Sequence, residues 1–323
     1  MINTNINEVI EFESNICWHE DFQSAYDSIE KLISYQGRKS KAKLLKAPPG
    51  AGKTLLANTV VEKLTSIDED TGTKVKHAIC INVALYNSPS QLLSAILVEL
   101  NDINPYKGTQ DQKAKTVIRL FKEKGIVILV VDEFHDILPK SRILPTSKIY
   151  RFLKGFMDSC GVPFLLLGTE DSERFLEVDK QISTRFLPTE ELYAFNCLSE
   201  YNSIHFALII ESLLEKFPRE INCLKLTQVN TDEDGIEKIR LKESHNMLYR
   251  FNLATSGLMR VIVNLLSECI EITAPDEIVD KKVLEKAFDN VVHTTYSFNP
   301  FDMTNTASKV KSRLAKEGLY NAK

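Results

Sequence analysis

The chain has 323 residues and a mass of 36.7 kDa, room for two domains or for one large domain with an appendage. Its 43% hydrophobic and 26% charged residues exclude a mostly disordered chain and a small disulfide scaffold. The 40 basic and 44 acidic residues sum to −4, which excludes a uniformly basic nucleic-acid binder and leaves a local basic stripe open. The longest aliphatic run, residues 126–131, is too short to cross a bilayer, and residues 1–13 carry no basic and apolar leader. The six cysteines form no CxxC pair and read as reduced core residues, so the expectation is a cytoplasmic protein with no membrane association.

In chain order, residues 1–20 read as a loosely ordered lead-in. Phe22, Tyr26, Ile29, Leu32 and Ile33 recur at helical spacing and predict a helix over 21–36. A basic loop (38–43), a short strand (44–47) and a helix (53–64) follow. Next come a strand at 77–83, a helix opened by Ser88-Pro89, and a helix over 110–124 that Gly125 ends. A buried strand at 126–131, a helix over 147–159 and a strand at 164–167 complete this half. Strands alternating with helices predict an α/β fold with a parallel sheet. The short apolar runs lack polar alternation, as expected for strands covered on both faces.

Beyond residue 199 the pattern turns helical, at 204–217, 248–254, 257–272 and 280–292. Two strand-like runs, 223–229 and 236–241, flank Asp232-Glu233-Asp234-Gly235 and suggest an inserted hairpin. The expected organisation is a lead-in (1–20), an α/β domain (21–198), a small, mostly helical domain (199–296) and a tail (297–323). That tail opens with Phe298-Asn299-Pro300-Phe301. From Thr304 to Lys323 it carries five basic residues against one glutamate, and it reads as a mobile docking segment for a partner.

Ala47-Pro48-Pro49-Gly50-Ala51-Gly52-Lys53-Thr54 follows a strand and opens a helix, the setting a phosphate-binding loop needs. Gly50 and Gly52 let backbone N–H groups turn inward, and the helix adds its positive end. Pro49, Gly50, Ala51, Gly52, Lys53, Thr54 and Leu55 are therefore the expected contacts to a nucleotide's phosphates, with Lys53 on the β- and γ-phosphates and Thr54 on Mg²⁺. Ala47 stands where the strict pattern has glycine.

The strand at 126–131 ends in Asp132-Glu133, 79 residues after Lys53. Charge at a buried strand end is costly and makes sense beside a cation. Asp132 is the expected metal partner and Glu133 the group that orients or deprotonates a water. His135 and Asp136 follow without zinc-site spacing. Phe164-Leu165-Leu166-Leu167-Gly168-Thr169 repeats the layout and places a small polar residue, Thr169, at another strand end. It either touches the γ-phosphate or the water, or caps the strand.

In this order the segments resemble the AAA+ ATPases, with a P-loop, an Asp-Glu strand end, a polar sensor and then a helical lid. More narrowly they resemble the TniB/TnsC type, ATP-dependent regulators of DNA transposition. Residues 131–137 (VDEFHDI), 167–170 (LGTE) and 179–186 (DKQISTRF) carry that resemblance. It implies an ATPase with bound ATP and Mg²⁺, working as a homo-oligomeric ring or helical filament on double-stranded DNA without sequence preference. A target selector and a transposase are the implied protein partners. It also implies that Arg185 is an arginine finger reaching a neighbouring subunit. The alternatives are a surface ion pair of Arg185 with Glu190 or Glu191, or Arg174 as the finger. Arg260, in Gly257-Leu258-Met259-Arg260, is the implied lid sensor or else an arginine on a solvated helix face, and Asn82 a possible partner that restrains Glu133.

Lys148, Arg151 and Lys154 recur every three residues on one helix face and are candidates for DNA phosphates, with Lys140 and Arg142 nearby. A solvated helix face is the alternative. Three other functions fit the phosphate loop: a replication initiator or loader ATPase of the AAA+ type, a P-loop small-molecule kinase that needs no arginine from a neighbour, and a non-catalytic scaffold that holds ATP as structural glue.

Overall fold

A computed structural model of the chain describes residues 2–38, 41–68, 72–84, 86, 88–138, 148–177, 180–231, 237–242, 246–292 and 298–321, with side chains from residue 5 onward. Lys140, Arg142 and the turn 232–235 lie outside them. After a first helix, α1 (Ile2–Ser14), one compact unit spans Glu20–Tyr193. Its elements are α2 (Glu20–Ile33), β1 (Ala42–Lys46), α3 (Lys53–Lys63), β2 (Thr65–Ile67), β3 (Lys74–Lys76), β4 (Ala78–Asn82), α4 (Pro89–Glu99) and α5 (Gln110–Glu123). They continue with β5 (Ile128–Asp132), α6 (Lys148–Cys160), β6 (Phe164–Gly168), the single turns α7 (Arg174–Glu177) and α8 (Lys180–Ser183), and β7 (Glu190–Glu191).

The sheet of this unit has the order β4-β5-β6-β1-β7, all parallel. Leu44, Ile79, Ile81, Leu129, Val131, Phe164 and Leu166 belong to one core cluster with residues of α4, α5 and α6. The alternate residues Leu45, Val130, Leu165 and Leu167 are buried too, on the face that α2 and α3 cover. Local chemistry sets the helix starts. Ser88 caps α4, and Thr109 and Gln112 form a capping box on α5.

Three features were not anticipated. β2 and β3 pair as a small antiparallel hairpin. β7 adds an edge strand beside β1, where Lys43 and Lys46 bind Glu190 and Glu191, each at 3.1 Å. β5 begins two residues later than predicted and takes in Asp132, because Asn82 of β4 stands opposite it.

The second unit comprises Met1–His19 and Ala194–Lys323. It holds α1, α9 (Glu200–Leu214), β8 (Thr227–Thr231), β9 (Glu237–Leu241), α10 (Asn246–Thr255), α11 (Met259–Ile272), α12 (Lys281–Val291) and α13 (Ala307–Lys316). β8 and β9 pair antiparallel; the strand suggested at 223–229 opens instead on a 3-10 turn, Asn222–Leu224, and pairing begins at Thr227.

Both chain ends differ from their sequence readings. The lead-in is a helix: Val9 and Phe12 enter this unit's core, and Asn5 Nδ2 caps the end of α11 by donating to the carbonyls of Ile270, Glu271 and Thr273 at 3.2–3.3 Å. The tail is equally built in. Phe301, Val310 and Leu314 are buried, and the Arg250 guanidinium donates to the carbonyls of Pro300, Asp302 and Asn305. Apolar residues at helical spacing inside a basic segment found a core to enter, so composition alone misjudged 297–323 as a loose tail.

Candidate active site

β1, β5 and β6 bring their carboxyl ends to one edge of the sheet. β1 runs into the loop 47–52, where Ala47 N donates to the Gly168 carbonyl of β6 at 3.0 Å. Gly50 and Gly52 take φ of 85° and 103°, backbone that favours glycine. Nothing lies within 4 Å of a Cβ added at Gly52, so its glycine serves the turn, not a lack of space. Gly52 is the N-cap of α3 and offers no side-chain cap, whereas side chains cap α4, α5, α9, α12 and α13. The first N–H groups of α3 are thus left for the loop's own concavity.

Lys53 is buried and its Nζ donates to the carbonyls of Ala47 (2.8 Å) and Pro48 (3.1 Å), which folds the ammonium back along the loop. Ala51 is buried; Pro49, Thr54 and Leu55 are exposed at the loop's rim and in the first turn of α3. Thr54 Oγ1 donates to Asp132 Oδ2 at 2.8 Å, and the other Asp132 oxygen accepts from Glu133 N at 2.8 Å. A hydroxyl and a carboxylate side by side are the hard oxygen donors Mg²⁺ takes, and a lysine within a glycine-bearing loop suits phosphate oxygens. The residues present fit a magnesium nucleotide.

Glu133 turns the chain out of β5 with φ 54°, left-handed backbone that a non-glycine residue adopts at a cost of about 1–3 kcal/mol. Its carboxylate lies 3.4 Å from His135 Nδ1 without hydrogen-bonding geometry, and that nitrogen is buried with no hydrogen-bond partner among the described residues. Asn82 Oδ1 instead accepts from Ala84 N at 3.0 Å, within its own loop. The neighbour the structure gives Glu133 is therefore His135, close in sequence but without spacing that would flag it.

Thr169 is half-buried at the end of β6 and its side chain caps nothing. A Cβ at Gly168 before it would stand 2.0 Å from Ser172 Oγ and 3.0 Å from Ser172 Cβ, so Ser172 would have to turn or shift to admit one. Lys46, at the end of β1, binds Glu173 (3.0 Å) and Glu191 (3.1 Å), which together hold its ammonium well above the ordinary lysine value.

Arg185 pairs with neither Glu190 nor Glu191. Its Nε and Nη2 donate to the two Asp158 oxygens, both at 2.6 Å, and Nη1 donates to the Gln181 carbonyl. These hydrogen bonds hold the Asp158 carboxyl below its ordinary value. Arg174 Nε donates to the carbonyl of Asp171 at 3.2 Å. Asp158 was not singled out in the sequence, although it lies one turn beyond Lys154 on α6. On that helix Lys148 and Arg151 are exposed, and Lys154 Nζ donates to Gln181 Oε1 at 2.8 Å. Arg260 is exposed in the first turn of α11, in the other unit. All six cysteines are free thiols, and burial pushes Cys80 and Cys197 up to about 12. No single described helix is long and apolar enough to cross a membrane.

A family model described as bacterial TniB protein matches residues 10–192, more than half of the chain. No match was found among curated protein sequences. Among solved structures, the Aeropyrum pernix ORC2 protein in ADPNP-ADP complexes is similar with a TM-score of 0.56 at 16% identity, over 85% of this chain and 68% of that one. Cdc6p from Pyrobaculum aerophilum is similar with a TM-score of 0.55 at 12% identity, over 88% and 71%. Drosophila ORC bound to DNA is similar with a TM-score of 0.53 at 13% identity, over 99% and 80%. At such identities the likeness speaks to the fold. The chain belongs to the TniB family, and it is built as an AAA+ ATPase, a five-stranded parallel P-loop sheet with a helical C-terminal unit.

Proposed function

We propose that this ATPase binds ATP with Mg²⁺, oligomerises on double-stranded DNA and links target-site selection to transposase recruitment, with hydrolysis releasing the assembly. The observation that carries the catalytic part is the 2.8 Å contact between Thr54 and Asp132 beside the Lys53 loop. When bound, Mg²⁺ supplies neutralisation of phosphate charge. Thr54 and Asp132 would hold it, and the Lys53 ammonium would exchange the loop carbonyls for phosphate oxygens. Glu133 would orient the attacking water and take its proton, and Thr169 would fix that water or the γ-phosphate.

Arg185 would act in a neighbouring subunit, leaving Asp158 for the charge that develops on the transferred phosphoryl group. Arg260 is proposed as a further phosphate sensor on the strength of the family resemblance. Lys148, Arg151 and Lys154 would follow the DNA backbone by charge, without reading bases. The likeness to Drosophila ORC bound to DNA supports this part of the reading.

Light scattering with and without duplex DNA and a non-hydrolysable ATP analogue tests the proposal. Large particles should form only with both ligands, and less readily for Arg185→Ala. A small particle under every condition removes the oligomer. A second reading, a replication initiator or loader ATPase, draws on the likeness to ORC and Cdc6 proteins. It shares the chemistry and differs in the partner the DNA-bound assembly retains.

A further inference from the structure

We infer that the outer face of α13 is a second contact for the phosphate backbone of duplex DNA, separate from α6. The inference rests on the reading of the chain as DNA-bound and adds a surface to it. The ten residues of α13 include four basic and no acidic side chains, in a chain whose net charge is −4. Burial of Val310 and Leu314 fixes the helix rotation, so that Lys309, Ser312 and Lys316 are exposed.

What holds these cations distinguishes the face from an ordinary solvated one. Lys309 Nζ lies 5.6 Å from the Phe298 ring centre and donates to Asn305 Oδ1 at 2.9 Å. Lys311 Nζ lies 4.6 Å from the ring centre of Tyr249 and 5.8 Å from that of Tyr320. The Arg313 guanidinium lies 4.6 Å from the Phe298 ring centre and pairs with Glu317 at 3.9 Å, so it adds less free charge to the face than the lysines. Among the described residues, no carboxylate lies within ion-pair distance of Lys309, Lys311 or Lys316. Aromatic faces and an amide order Lys309 and Lys311 without a carboxylate at ion-pair distance to cancel their charge. For Lys309 and Lys311 the ordering entropy is spent in advance, and exposed Lys316 extends the positive field open to an outside anion.

The shape of the patch selects the partner. Lys309 and Lys316 are seven residues apart, about 10 Å along the helix. Lys309, Arg313 and Lys316 line one open groove with Phe298, Ser312 and Glu317, and a row of cations that long reaches more than one phosphate of a backbone, whereas one small anion would meet only part of it. Binding there should be independent of base sequence and strongly salt-dependent.

The test uses the full chain, a labelled random-sequence duplex and a non-hydrolysable ATP analogue, with fluorescence anisotropy read over a series of salt concentrations. For Lys309→Gln/Lys316→Gln, duplex affinity should fall at least tenfold, and the slope of log K against log salt should become shallower by about 1.8, two phosphate contacts' worth. ATP turnover without DNA should stay at the wild-type level. Lys309→Arg/Lys316→Arg should keep both affinity and slope; loss in this variant as well would mark a structural defect and overturn the inference. An unchanged glutamine variant beside a binding wild type overturns the α13 contact alone. A wild type with no duplex affinity removes the underlying DNA reading with it. A glutamine variant that keeps the duplex but loses polyglutamate replaces DNA with an acidic polypeptide.

Discussion

Thr54 and Asp132, separated by 78 positions in the chain, meet at 2.8 Å, hydroxyl to carboxylate, across the ends of two strands. The other oxygen of the same carboxylate receives the Glu133 amide. One side chain thus joins the residue after the P-loop lysine to the residue proposed to activate water. Any change at Asp132 is felt at both.

Asp132→Asn keeps the shape and removes the charge. With Mg²⁺ present, ATP affinity should fall about 10- to 100-fold, the worth of a charge-assisted contact. With EDTA, wild type and variant should bind ATP alike. Calorimetry in both buffers checks this; a deficit that persists in EDTA would assign Asp132 a structural role only.

Glu133→Gln retains the left-handed turn and loses the base. ATP turnover should fall by about 10²- to 10⁴-fold, with nucleotide affinity nearly unchanged. Turnover within tenfold of wild type would mean that another group handles the proton.

Two glycines should respond differently to alanine. At Gly257 (φ 65°), a Cβ would sit 1.7 Å from the Phe195 carbonyl oxygen, an atom already held by Asn252 Nδ2 at 2.8 Å. Gly257→Ala should cost about 3 kcal/mol or more. Gly52→Ala meets no neighbour within 4 Å and bears only the strain of φ 103°, about 1–2 kcal/mol. Urea unfolding of both variants measures the order, and equal losses would contradict it.

The Arg185 and Asp158 pair gives a signed dependence on pH. Asp158 is held below the ordinary carboxylate value, first by its hydrogen bonds to Arg185, with burial opposing. The folded value is the lower one. The stabilisation is therefore complete above the unfolded-state value near 4 and is lost as pH falls through the folded value. Because the Asp158 side chain is 50% exposed, the contribution is about 0.5–1 kcal/mol. Asp158→Asn should lower stability by that amount at pH 7 and match wild type near pH 2. A constant gap between the two across the pH range would rule out the ionic origin.

Much of the site was legible in the sequence because its parts are local. A phosphate loop is a contiguous run whose glycines, lysine and following helix start act together, and Asp132-Glu133 follows directly on an apolar strand. The longer helices between residues 20 and 292 were likewise legible from their apolar spacing and from caps such as Ser88. Tertiary structure decided which distant groups meet. Asp158 holds Arg185, two glutamates clamp Lys46, and Asn5 caps α11, all across separations that no local pattern encodes. It also drew both chain ends into the second core, because Phe12, Phe301 and Leu314 lose contact with water only once other helices have built a surface to receive them.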